Sequence, residues 1–383
     1  MKIGFDISSL VYRRGVSRYS ADLVAALAAL PEVELLLYGS SLRQQPLLKR
    51  ELQRALLNVT PDRYDVFLQH WPPSLLAQLW RFGFNPIRKI MPQVEVFHSW
   101  DWLQPPDRDL PLVSTIHDLA IIKYPEVAHP KVLQMHQRAW QALRDRQAHV
   151  IAVSQATKQD VLRYLEIPAS RVHVVYEALP SQIAAVSQRL ANDPDLLNTV
   201  KRRLQLDKPY ILAVGTREPR KNLSRLIEAW QPLAKDYQLL IAGEAAWDDS
   251  AALQQDNLRL LGRVSDLELA VLYHQAELFA YPSLYEGFGL PVLEAFAYGV
   301  PVLAADIPAL REVAGNAALL VDPQDPVAIR QGLEALLNEP AAASQQRMQK
   351  MIIRLQLFSW AKAARQTLAV YQRALQDSRE TRS

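Results

Sequence analysis

The 383-residue chain contains no cysteine, which excludes a disulfide framework, a thiolate metal site and a cysteine nucleophile. It also lacks a surplus of one charge: 43 Lys and Arg stand against 40 Asp and Glu, a formal net charge of +3. That excess is too small to suggest a nucleic-acid partner. No apolar run approaches the length of a membrane span. The start, MKIGFDISSL, runs into a strand without the apolar core of a signal peptide. The expectation is a cytoplasmic protein, free or peripheral at the inner face of a membrane. The Gly-x-Gly-x-x-Gly fingerprint of dinucleotide binding is absent, as are internal repeats and low-complexity segments.

What is present is a soluble, globular composition, 49% apolar and 22% charged, long enough for two domains. Short apolar strands alternate with apolar-periodic helices, the pattern of doubly wound α/β domains. Residues 3–7 read as the first strand and residues 8–15 as turn-forming. A helix over 18–30 follows, with Ser17 as its N-cap. Further strands are expected at 34–38, 94–98, 111–116 and 150–154. The pattern restarts with strands at 210–214, 238–243, 258–261 and 278–281, then the VPVLAAD and AALLVD segments. This gives a first domain over 1–180, a linker region over 181–208 with one helix near 195–206, a second domain over 209–357, and a final amphipathic helix and tail over 358–383.

The chain is organised around residues 281–301, YPSLYEGFGLPVLEAFAYGVP. A strand stops at Pro282, a loop carrying Gly287 and Gly289 follows, Pro291 suits a first helical turn, and Gly299 closes the helix. The helix N-terminus turns free N–H groups and a positive dipole end toward the loop, which attracts phosphate. Glu286 and Glu294 bracket the loop with seven residues between them. Two carboxylates and a phosphate site fit one ligand class, a nucleotide sugar, because each carboxylate can accept hydrogen bonds from a vicinal diol. The plainer alternative is a capped helix whose glutamates are a surface residue and a dipole partner.

Three other stretches carry candidate chemistry. PLVSTIHDL delivers His117 and Asp118 to the end of an apolar strand, where α/β domains bind ligands, although a lone histidine there also suits a structural role. GTREPRKN places Arg217, Arg220 and Lys221 before a helix capped by Asn222. Cations there oppose the dipole unless an anion lies between them, and a diphosphate resolves the conflict; three solvated cations are the alternative. Residues 42–91 hold eight Lys and Arg against three carboxylates, interleaved with Trp71, Leu75, Leu76, Trp80, Phe82 and Phe84. Such a stretch either covers helices flanking a sheet or makes peripheral contact with an anionic membrane. His129 and His136 read as surface residues, and Asp248 and Asp249 as turn residues rather than metal ligands. Ser154 reads as a helix cap.

SLYEGFGLPVLEA followed by GVPV, with EPRKN, TIHDL…YPE and the VIAVSQATKQDVLRYLEIPASRVHVVYEAL segment, resembles glycosyltransferase family 4, the retaining GT-B enzymes. The resemblance spans nearly the whole chain and implies two Rossmann-like domains facing across a cleft, with the last helix crossing back to the first domain. It implies that Glu286 faces the donor sugar and Glu294 the ribose, with the backbone of Phe288, Gly289 and Leu290 against the sugar and diphosphate. By the same likeness Lys221 and an arginine, Arg217 or Arg220, hold the diphosphate. Arg263 lies by the base, His117 reaches the sugar near the reacting carbon, and Asp118 shapes its loop or meets the acceptor. The GVSRY segment stands where the family has GIGRY, leaving Gly15 for close approach to the ligand; VVYEA replaces VVYNG, and Ala305 and Asp306 replace Ser and Asn. The implied activity is transfer of a hexose, best matched to mannose from GDP-mannose, to a glycan or lipid-linked acceptor in cell-surface polysaccharide assembly. The diphosphate is neutralised by cations, so no metal or cofactor is expected. UDP-glucose-type donors, a nucleotide-sugar epimerase or phosphorylase of the same fold, and a non-catalytic nucleotide-sugar-binding subunit are the competing readings.

Overall fold

A computed structural model describes residues 1–12, 15–245 and 255–380. Asp248 and Asp249 lie outside the described residues. The chain divides into two compact units, one of residues 1–177 with 359–383 and one of residues 178–358.

The first unit holds a fully parallel seven-stranded sheet: β1 (Lys2–Asp6), β2 (Glu34–Ser40), β3 (Tyr64–Gln69), β4 (Val96–Ser99), β5 (Leu112–Ile116), β6 (His149–Ala152) and β7 (Val172–Val174), in spatial order 3-2-1-4-5-6-7. Successive side chains of a strand point to opposite faces, and both faces are covered. Leu35 and Leu37 therefore pack with Ile3, Phe5, Leu23 and Leu27 on one side. Leu36 and Tyr38 pack with Trp80, Phe97, Trp140 and Leu143 on the other. Each buried side chain of this kind contributes roughly 1.5–3 kcal/mol.

The last helix, Trp360–Glu380, lies in this first unit although it ends the chain. Ala364, Leu368 and Tyr371 join the face made by β1 and the Gly15–Ala28 helix. The Tyr371 hydroxyl is 2.6 Å from His98 Nδ1, while His98 Nε2 is 3.0 Å from the Thr115 hydroxyl, which also meets the Tyr19 hydroxyl at 2.9 Å. Burial, with the nearby His117 imidazole, holds His98 down to about 3, so it sits as a neutral link.

The second unit repeats the plan with β8 (Tyr210–Val214), β9 (Gln238–Ala242), β10 (Leu258–Gly262), β11 (Leu278–Tyr281), β12 (Val302–Ala305) and β13 (Leu319–Val321), ordered 10-9-8-11-12-13 and all parallel.

Several local expectations change. Residues 181–208 form two helices, Ser181–Asn192 and Pro194–Arg203, within the second unit, where one was expected. Ser17 is not an N-cap: the helix begins at Gly15, and the buried Ser17 hydroxyl donates to the Ser9 carbonyl at 2.6 Å. His129 is exposed, but His136 is half-buried against Trp140, because its helix turns that face toward the sheet. Within 42–91, Leu76 and Trp80 are core while Trp71, Leu75, Phe82 and Phe84 are exposed. Arg63 is structural: its guanidinium donates to the carbonyls of Leu30 and Val33 at the end of the Gly15–Ala28 helix. Among the described residues no helix is long and apolar enough to cross a membrane.

At the far edge of the first sheet, His149 Nδ1 is 2.9 Å from His173 Nε2, and His149 Nε2 is 3.1 Å from Asp377 of the last helix. Burial lowers both rings: His173 falls from 6.5 to about 4, and for His149 burial outweighs the pull of Asp377. With folded values depressed, the unfolded chain binds protons that the native state does not. The stability these rings contribute is therefore present above pH 6.5 and lost as pH falls toward 4. His173→Gln should lower the steepness of the fall in Tm across that window. Thermal melts with equal slopes for both proteins would assign the acid sensitivity to other groups.

Candidate active site

In a doubly wound sheet, ligands bind beyond the strand C-termini where the strand order reverses. In the second unit that point lies between β8 and β11. The loop after β8 carries Arg217, Arg220 and Lys221; the loop after β11 carries residues 282–289. Asn222 ties the two together: its side-chain amide donates to the carbonyls of Pro282 at 3.0 Å and Pro323 at 2.6 Å. It occupies the expected N-cap position of the Leu223–Trp230 helix but makes no capping hydrogen bond, because its side chain bridges the loops instead. The loop ends at a left-handed Gly289 (φ +110°), where a Cβ would lie 2.5 Å from Leu310 Cδ2. Beneath, Gly243 after β9 approaches the Gly215 carbonyl so closely that a Cβ would stand 1.8 Å from its oxygen.

The two loops meet at Glu286, which is only 8% exposed. Lys221 Nζ donates to Glu286 Oε1 at 2.6 Å and to the Tyr281 hydroxyl at 2.9 Å. Arg220 donates to Glu286 Oε2 at 3.1 Å and to the Tyr285 carbonyl at 3.1 Å, and its other nitrogen is 2.6 Å from Glu218. Burial opposes ionisation of Glu286, but the charges and hydrogen bonds of Lys221 and Arg220 outweigh it and hold the carboxyl at about 2. Burial likewise pulls the Lys221 ammonium below its usual range while Glu286 pushes back.

The remaining expected residues fall around this centre. Arg217 is buried, and its backbone N–H donates to the Glu244 carbonyl at 2.9 Å. Arg263, at the end of β10, is exposed and pairs with Glu244 at 3.2 Å. Gly287 is buried in the loop; Phe288 packs edge-on against Phe358 with ring centres 5.6 Å apart. Leu290 begins the Leu290–Ala297 helix, whose N-terminus faces the loop. Glu294, one turn in, is buried and accepts from the Tyr273 hydroxyl at 3.1 Å. The two glutamates therefore sit in different surroundings, one among cations and one against a phenol.

The first unit contributes a separate cluster at the ends of β5 and β7. His117 Nδ1 lies 2.8 Å from Glu177 Oε1, and the His117 ring stands edge-on to Tyr19 at 4.7 Å. Asp118 accepts from the Ala120 N–H at 2.8 Å, so this carboxylate shapes its loop. Gly15 opens the helix after β1, and a Cβ there would meet nothing within 4 Å. Burial opposes charge on His117, but the Glu177 hydrogen bond and charge, followed by the charges of Asp101 and Asp118, prevail and raise its pKa. Glu177 is the residue that motif reading missed. Its one signal was the replacement of the usual Asn in VVYNG. Ser154 caps its helix as expected, accepting from Thr157 N–H at 2.9 Å.

A raised imidazole value means that the His117–Glu177 pair stabilises the fold fully below 6.5, an effect lost as pH climbs through the raised value. Glu177→Gln should lower the His117 pKa, read from the imidazole Cε1–H shift in an NMR titration. An unchanged titration would mean that Glu177 does not set the charge of His117.

The family described as Glycosyltransferase Family 4 matches residues 13–182, and Glycosyl transferases group 1 matches residues 198–354. The chain is 31% identical to O-antigen chain mannosyltransferase B of Escherichia coli, over 97% of this chain and 99% of that one. It is 29% identical to O-antigen chain mannosyltransferase RfbU of Salmonella typhimurium, over 60% and 62% of the two chains. Among solved structures it superposes on sucrose-phosphate synthase of Thermosynechococcus elongatus with a TM-score of 0.68 at 21% identity, covering 97% and 98%. It also superposes on Anabaena HepE, solved with UDP and glucose, with a TM-score of 0.66 at 18% identity, covering 97% and 99%. Near-complete alignment with family 4 relatives, and two fully parallel doubly wound sheets, lead to one conclusion: the chain belongs to glycosyltransferase family 4 and is a glycosyltransferase of the GT-B fold.

Proposed function

We propose that the protein transfers a mannosyl residue from GDP-mannose to a hydroxyl of a growing surface glycan, with retention at the anomeric carbon. The observation that carries this reading is the Lys221–Glu286–Arg220 network at the β8/β11 switch point, beside the N-terminus of the Leu290–Ala297 helix. Lys221 and Arg220, balanced by Glu286 and Glu218, gather two cations in a buried site beside a helix N-terminus, which suits an incoming diphosphate. When the diphosphate takes up those cations, Glu286 is released to accept from the sugar hydroxyls. Glu294 accepts from the ribose diol, and Arg263 lies along the base. The names of the relatives, mannosyltransferases of O-antigen chains, support the sugar and the type of acceptor.

The step to be assisted is departure of the nucleoside diphosphate. The bond between the sugar C1 and the phosphate oxygen breaks, and Lys221, Arg220 and the helix N–H groups stabilise the charge that develops. The acceptor oxygen bonds to C1 from the same face, and its proton passes to the leaving phosphate. GDP and the lengthened glycan result, and these cations replace a metal ion. Thermal shift with GDP, UDP and ADP and their sugars, followed by mass spectrometry and anomeric NMR of the product, tests this directly. GDP-mannose should raise Tm and yield GDP and an α-linked product. Lys221→Ala should reduce turnover by about 10²–10³ while remaining folded, because Arg220 still pairs Glu286. A β-linked product, or near-normal turnover by the variant, would refute the mechanism.

We further propose that the exposed face of residues 42–91 rests on anionic lipid, which fits a lipid-linked acceptor. Trp71, Leu75, Phe82 and Phe84 are exposed there beside exposed Arg81 and Lys89. Phe82→Ser with Phe84→Ser should abolish sedimentation with phosphatidylglycerol vesicles at low salt. Absence of wild-type binding, or binding undiminished in the double variant, would remove this contact.

A further inference from the structure

The first unit has its own switch point, between β1 and β4, and His117 and Glu177 lie to one side of it at the ends of β5 and β7. Three aromatic side chains stand at the switch point itself. Tyr12 ends the short helical turn Ser8–Tyr12 that follows β1, and Trp100 and Trp102 lie in the loop that follows β4. The Tyr12 and Trp100 ring centres are 5.2 Å apart, and the Trp100 and Trp102 rings meet nearly at right angles at 4.7 Å. Other aromatics of this sheet, Tyr38 and Phe97, are wholly buried. These three are not: Tyr12 is 43% exposed, and both tryptophans keep part of their surface open.

The platform is also held in shape. The Ser99 hydroxyl bonds Gln104 and the Val113 carbonyl, and the Gln104 amide donates to the Trp100 carbonyl at 2.9 Å. A braced loop loses little freedom when something lands on it. Asp101, between the tryptophans in sequence, lies within electrostatic reach of His117, Asp118 and His136, which joins the platform to the His117 cluster.

We propose that Tyr12, Trp100 and Trp102 form an acceptor-sugar subsite, with a pyranose ring laid on the aromatic faces and its hydroxyls donating to Asp101. The chemistry favours a carbohydrate over a plain apolar group. One face of a pyranose carries C–H bonds polarised by neighbouring oxygens, which suits the negative face of an aromatic ring. Its edge carries hydroxyls, which need an acceptor such as a carboxylate. This subsite rests on the glycan-acceptor reading given under Proposed function, and it specifies where the first unit grips that glycan.

The test uses the full-length protein with methyl α-D-mannopyranoside and an α-linked mannotriose as probes. Saturation-transfer NMR should show contact through sugar C–H protons in the wild type. Trp102→Ala and Tyr12→Ala should erase most of that signal and raise the acceptor KM by about five- to ten-fold, while Trp102→Phe restores part of both. Tyr12 is exposed, so its variant keeps the fold, and the Tm rise with GDP-mannose reports the donor site separately. No saturation transfer to the wild type, or unchanged signal and acceptor KM in both alanine variants, would overturn the subsite. Loss of the GDP-mannose shift in the wild type would instead strike at the donor reading.

Discussion

A carboxylate removed from water must be matched, and in the second unit the Glu286 carboxylate is matched by Lys221 and Arg220. The cations come from the loop after β8 and the glutamate from the loop after β11, so the site exists only because those strands are neighbours. The surroundings serve that meeting. Asn222 fastens one loop to the other, Gly289 lets the chain turn into the next helix against Leu310, and Tyr281 presents its hydroxyl and its ring to the lysine.

The first unit uses the same physics with the opposite sign. There a histidine is drawn toward its charged form by Glu177, Asp101 and Asp118, over a layer of neutral hydroxyls and the uncharged His98. The last helix completes that layer through Tyr371, so a segment remote in sequence helps to seat the strand that bears His117. Both units thus place their titratable side chains at strand C-termini on fully parallel sheets.

Much of this was legible in the chain. Runs such as LLLY and LFAY are apolar at every position because strands of a parallel sheet are buried on both faces. The glycines and Pro291 of 281–301 announced a loop turning into a helix because each residue type answers a local backbone requirement. The helix over 181–192 was not legible, since few of its side chains are buried and it is held by packing against neighbouring helices rather than by propensity. His136 and Ser17 were misplaced for a related reason: a helix's buried face is set by its neighbours. Trp80 and Phe82 look alike in sequence, yet one is core and the other 70% exposed.

The sequence by itself determined the alternation of strand and helix, the family, and the residue types of the loops after β8 and β11, because periodicity and local motifs are properties of short stretches. Tertiary structure decided the pairings. It showed that Lys221 and Arg220 share Glu286, that Asn222 bridges loops rather than capping a helix, and that Glu177, 60 residues from His117, is its partner. Such contacts depend on which strands lie side by side, and a crossover between parallel strands separates partners in space by a few ångströms while separating them in sequence by dozens of residues.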